Sequence, residues 1–138
     1  MSGDRSKCPI ARVLDIVGDR WTLLVIRDIT LGKTSFSEIS ESPERIPPST
    51  LTARLDMLVC QGLITKTPVT GGPGRQYRYD LTGRGADLAP LLAAMMQWSA
   101  RHEPETPIGP TLRRRLEEDF DGVVRSLRSR TLKPVAAN

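Results

Sequence analysis

Apolar residues fall at helical intervals through the first half of the chain. From Pro9 onward, Ile10, Val13, Leu14 and Val17 recur on one helix face until Gly18 ends the run. Pro9 suits a first helical turn, where its missing donor costs nothing. Asp19 is a candidate cap for a second helix with Trp21, Leu24, Val25 and Ile29 on its apolar face and Gly32 as terminator. Ser35-Phe36-Ser37-Glu38 has the form of a capping box and predicts a short third helix running to about Glu41. Pro43, Pro47 and Pro48 make residues 42–48 a turn. Ser49 is then expected to cap a fourth helix, with Leu51, Leu55 and Leu58 on one side and Gly62 at its end.

Beyond Gly62 the pattern changes to alternation. Leu63 to Val69 is rich in β-branched residues and reads as a strand, and Gly71-Gly72-Pro73-Gly74 reads as a turn. In Gln76 to Leu81, Tyr77, Tyr79 and Leu81 alternate with polar neighbours, completing a β-hairpin with one buried face. Thr82 is expected to cap a long helix whose stripe is Leu88, Leu91, Leu92, Met95 and Trp98, ending near Glu103 to Pro107. After Pro110, Leu112, Leu116, Phe120, Val123, Val124 and Leu127 keep helical spacing beside the basic runs 113–115 and 125–130.

The predicted fold is mainly α with a small β-hairpin: a winged helix-turn-helix over residues 8–103, a Pro-rich linker over 104–110 and a C-terminal amphipathic helix over 111–133. That last helix needs a surface to pack on, and Pro134 to Asn138 is expected to fray.

Composition narrows the function classes. A chain of 138 residues supports one core plus an extension. Its 20 lysines and arginines against 16 acidic residues give a net charge of +4, which suits a polyanionic partner. No apolar run has the length of a signal peptide or membrane span, so a cytoplasmic location without membrane contact is expected. Cys8 and Cys60 are far apart and His102 is the only histidine, a set that cannot build a structural zinc site. No cofactor is expected. Enzymatic function is excluded for want of parts, since no acid–base pair or activated nucleophile is visible. The glycines of the hairpin tip also lack the following lysine of a phosphate-cradling loop.

With Leu51, Leu55 and Leu58 turned inward, the 100-degree helical step aims Ser49, Thr50, Ala53 and Met57 outward and leaves Arg54 on the flank. A helix so presented fits the major groove of double-stranded DNA. Arg54 is the first choice for a guanine or phosphate contact, the alternative being a pair with a neighbouring carboxylate. Arg75 at the hairpin end and Arg78 on its outward face can lie along a phosphate backbone, or the tip is simply mobile. Tyr77 and Tyr79 are expected in the core rather than stacked on bases. Trp21, Trp98 and the pair Met95-Met96 either fill the core or line a pocket for a small apolar effector. The alternative to DNA is a winged-helix module that binds protein or RNA.

Several segments resemble, in order and spacing, the HxlR family of bacterial regulators. They are Cys8-Pro9-Ile10, Gly18 to Leu24, Phe36 to Ile39, Leu51 to Leu55, Gly62-Leu63-Ile64 and Tyr79 to Thr82 followed by Gly85. The resemblance covers Cys8 to His102 and implies a dimeric winged helix related to MarR-type regulators. The first helix and the long helix after the wing would form the dimer interface, over a roughly palindromic operator. It further implies repression as the family tendency and, as effector, an oxidant, an electrophile, a small ligand or none known, with no choice among these. Cys8 aligns with a cysteine that senses oxidants in some members. Its place before Pro9, with Arg5, Lys7 and Arg12 nearby, favours thiolate over thiol. Otherwise Cys8 is a small residue buried at the dimer seam, and Cys60 ranks second as a sensor. After Glu103 the sequence departs from the family pattern.

Overall fold

The computed structural model describes residues 6–129. Helix α1 (Pro9–Val17) starts with proline in its first turn and ends at Gly18, and it buries only Val17. Helix α2 (Thr22–Thr30) runs through the centre of the core, where Val25, Ile26 and Ile29 are buried. Helix α3 (Phe36–Ser40) carries the expected capping box: Glu38 N–H donates to the Ser35 hydroxyl at 3.1 Å, and the Glu38 carboxylate accepts from Ser35 N–H at 3.2 Å. Helix α4 (Pro48–Cys60) buries Leu51, Leu55 and Leu58 as expected. Its start corrects the sequence reading. Ser49 caps nothing, because Pro47 is the capping residue and Pro48, with φ preset, already opens the helix.

At the end of α4, Gly62 takes a left-handed φ of 73°, and Leu63 N–H reaches back to the Leu58 carbonyl at 2.9 Å. The chain then enters an antiparallel hairpin, β1 (Ile64–Val69) and β2 (Gln76–Leu81), with Ile64 opposite Leu81 and Val69 opposite Gln76. Tyr79 N–H donates to the Thr34 carbonyl at 2.8 Å, which pins this wing to the segment leading into α3.

The long helix expected from Thr82 onward is interrupted. Thr82 caps only α5 (Gly83–Ala86), and α6 (Ala89–His102) begins after Asp87 and Leu88. The cause is a close approach. A Cβ at Gly85 would lie 2.1 Å from the Leu63 carbonyl oxygen, while Thr82 and Arg84 donate to the carbonyls of Gly62 and Gln61 at 2.6 and 3.1 Å. These bonds tie the turn to the corner between α4 and β1.

The single helix expected over 111–133 is two, α7 (Pro110–Glu118) and α8 (Phe120–Arg128). Asp119 leaves helical geometry between them (φ −145°, ψ 53°), and its carboxylate accepts from Gly122 N–H at 3.2 Å. Both helices fold back on α6 of the same chain, burying Leu116, Val123 and Leu127. Gln97 donates to the Leu116 carbonyl at 2.6 Å, Arg101 pairs with Glu117, and Arg128 reaches Asp87 at 2.7 Å. The tail therefore braces α6 at both ends. Arg5, Arg130 and the expected helix end and frayed segment over 130–138 lie outside the described residues.

Candidate nucleic-acid interface

Helices α3 and α4 and the turn between them are anchored to α2 by a polar cluster. Asp28 on α2 is buried, and its Oδ1 accepts from Arg27 Nε and Nη2 at 3.0 and 2.8 Å. The hydroxyl of Ser42, in the turn, donates to Asp28 Oδ2 at 2.5 Å and accepts from Lys33 Nζ at 2.7 Å. Arg27 also donates through Nη1 and Nη2 to the two carboxylate oxygens of Glu44, each at 2.8 Å. A buried carboxylate is tolerated only when paired in this way. The Arg27 guanidinium holds the Glu44 pKa down to about 2, against the cost of its burial, and Glu44 and Asp28 in turn raise that of Arg27. Arg45, next in the turn, is exposed and adopts a left-handed φ of 57°, unusual for a residue with a side chain.

On α4 the exposed arc is rotated from the one periodicity implied. Ser49 and Ala53 are exposed, with Thr52, Asp56 and Cys60 beside them, whereas Thr50 and Met57 are half-buried and Met57 packs against the core. Arg54 is drawn to the other flank, its side chain 34% exposed and its Nε 3.4 Å from Asp19 Oδ1. The alternative of a carboxylate partner is therefore the arrangement present. Thr52, Asp56 and Arg45 escaped the sequence reading. Thr52 and Asp56 lie together beyond Ser49 on one side of the expected arc, and widening it toward that side would have found both.

On the wing, Arg75 and Arg78 are exposed. Arg78 is engaged with Asp80 through Nε and Nη2 at 2.9 and 3.3 Å, which raises its pKa. Tyr79 is buried and Tyr77 half-buried with Lys66 Nζ 4.1 Å from its ring centre, in line with a core role for this face. An open groove of about 590 Å³ separates the wing from the start of α3 and is lined by Arg75, Gln76 and Arg78 on one side and Ser35 and Ser37 on the other.

A second surface is apolar. On α1, Ile10 and Leu14 are 71% and 58% exposed, and on α6, Met95 and Trp98 are 50% and 59% exposed. Helical steps put Leu91, Met95, Trp98 and His102 on one face of α6, opposite Ala89, Ala93 and Ala100. The His102 ring lies 4.9 Å from that of Trp98. Neither core packing nor an effector pocket describes Met95 and Trp98, and the cavity that Trp21 lines is about 10 Å³, too small for a ligand. Cys8 precedes α1 without a side-chain capping bond and is exposed, as is Cys60, and neither is in a disulfide. Among the described residues no group of side chains could hold a metal ion, and no helix is long and apolar enough to cross a membrane.

A helix-turn-helix closed by a two-stranded wing defines a winged helix-turn-helix protein. The chain belongs to the HxlR-like helix-turn-helix family, whose model matches residues 16–107. It is 38% identical over 106 residues to an uncharacterized HTH-type transcriptional regulator of Mycobacterium tuberculosis, covering 77% of this chain and 65% of the relative's length. Two solved structures are similar. The reduced form of the transcriptional regulator YodB from Bacillus subtilis matches with a TM-score of 0.59 at 27% identity, covering 72% of this chain and 98% of that one. The redox regulator HypR in its oxidized form matches with a TM-score of 0.61 at 28% identity, covering 70% and 98%.

Proposed function

We propose that the protein is a cytoplasmic transcription regulator, a repressor, that binds a palindromic operator in double-stranded DNA as a homodimer. The observation that carries this reading is the exposed polar face of α4, held at a fixed angle by the Arg27, Asp28, Ser42 and Glu44 cluster and flanked by Arg45 and the wing arginines. In this arrangement Ser49 and Ala53 face base edges, with Thr50 and Met57 on the shoulder of the contact and Arg54 reaching in from the flank. Arg75 and Arg78 lie along the backbone, Arg78 exchanging Asp80 for phosphate.

The apolar faces of α1 and α6 support a two-fold dimer, since a second copy covers both at once. The resemblance to a redox regulator and the exposed Cys8 at the start of α1 support control by an oxidant or electrophile. An adduct or interchain disulfide there would shift the two α4 helices relative to each other. The test is binding of the purified chain to duplex DNA fragments and to single-stranded RNA over a range of salt, together with sedimentation. The expected result is a dimer with salt-dependent duplex binding. A micromolar monomer, or binding to RNA alone, would replace this reading with that of a protein- or RNA-binding winged helix.

A further inference from the structure

We propose that Asp19 is a positioning residue for Arg54, holding its guanidinium at the flank of α4 so that Arg54 can discriminate between DNA sequences. The inference rests on the reading of α4 as the DNA-contacting helix.

Asp19 lies between α1 and α2, and its carboxylate is fixed by three donors from Trp21 and Thr22 at the entry to α2. Oδ1 accepts from the N–H groups of Trp21 and Thr22 at 2.9 and 3.1 Å, and Oδ2 accepts from the Thr22 hydroxyl. The same Oδ1 faces Arg54 Nε at 3.4 Å. That nitrogen is shielded from solvent and makes no hydrogen bond, so the tie to Asp19 is one of charge, and the terminal nitrogens of Arg54 likewise have no hydrogen-bond partner among the described residues. A planar guanidinium steadied at Nε keeps its terminal fork for a ligand, and a fork held in advance loses less freedom on meeting a guanine edge or a phosphate. Asp19 thus does two jobs with one carboxylate. It accepts the N–H groups of Trp21 and Thr22 where the chain enters α2, which an amide oxygen does equally well, and it orients Arg54, which needs the charge.

The difference sets the experiment. Duplexes are enriched by the wild-type full chain from a random-sequence pool, and affinities for an enriched duplex and for a scrambled duplex of the same composition are compared at one salt concentration. Asp19→Asn keeps an acceptor for the Trp21 and Thr22 N–H groups and removes the charge. It should lower the ratio of the two affinities by about tenfold or more, the scale of one lost base contact, without weakening binding to the scrambled duplex. Arg54→Ala should lower the ratio similarly, and the double variant should lose no more than Arg54→Ala alone. Asp19→Ser, which also keeps an acceptor, serves if Asp19→Asn fails to fold. A wild-type ratio in the charge-free variant, or losses that multiply in the double variant, overturns the proposal and leaves DNA binding intact. A pool from which the wild type enriches nothing overturns both.

Discussion

Arg27 on α2 and Glu44 in the turn before α4 meet in a two-pronged ion pair, each terminal nitrogen 2.8 Å from a different carboxylate oxygen. The residues are 17 positions apart, and their pairing sets where α4 begins relative to the core. Glu44 has its pKa lowered from 4.5 to about 2, so between these values the unfolded chain binds more protons than the folded one. The pair's contribution is complete above the upper value and fades as pH falls toward the lower. Both side chains are 30% exposed, and after solvent screening Glu44→Gln should cost about 1 kcal/mol at neutral pH. Urea unfolding of the two proteins should show this gap closing in acid. A gap of constant size would contradict the assignment.

Removal of the chain from Pro110 onward should destabilise what remains. It takes away Leu116, Val123 and Leu127 and uncovers the face of α6 carrying Ala93 and Gln97. Burial of three such side chains is worth at least about 4 kcal/mol. A shortened chain with an unchanged urea midpoint would show the tail to be dispensable for the fold.

Features set by neighbours in sequence were legible in advance. The capping box at Ser35 and Glu38, the inward triad on α4 and the alternation of Tyr77, Tyr79 and Leu81 all arise within one element. What was misread depends on contacts between distant segments. The apolar spacing from Leu112 to Leu127 continues across Asp119 because α7 and α8 pack on the same helix, so periodicity alone merges them. The interruption after Ala86 follows from the approach of Gly85 to Leu63, and the carboxylate that Arg54 faces is that of Asp19, separated from it in sequence by α2 and α3. Periodicity left open whether Arg54 pairs with a carboxylate and could not name Asp19 as that partner.

The cations around α4 should separate by salt dependence. Arg75→Ala should weaken binding to all duplexes alike and lower the slope of log affinity against log salt by about one. Arg78→Ala should have a smaller effect, since Arg78 must first leave Asp80. Arg45→Gly should weaken binding while leaving thermal stability equal or higher, because glycine accepts the left-handed backbone that Arg45 now holds. Equal slopes for wild type and Arg75→Ala would remove the wing from the interface.

Cys8 is exposed at the start of α1, next to the apolar face assigned to the dimer. Titration with diamide or a quinone should change DNA binding of the wild type and leave Cys8→Ser unresponsive, with the modified thiol identified by mass spectrometry. Equal responses in both proteins would eliminate Cys8 as the sensor, and Cys60→Ser is then the variant that should lose the response.

The central claim is that two copies of α4, related by a two-fold axis through α1 and α6, read one DNA site. Sequencing the duplexes that the purified full chain enriches from a random pool, with the number of chains bound per duplex, tests it most directly. The expected result is a two-fold symmetric sequence with half-sites about one helical turn, or a multiple of it, apart and two chains on each duplex. An asymmetric sequence held by one chain, or no enriched sequence, would contradict it.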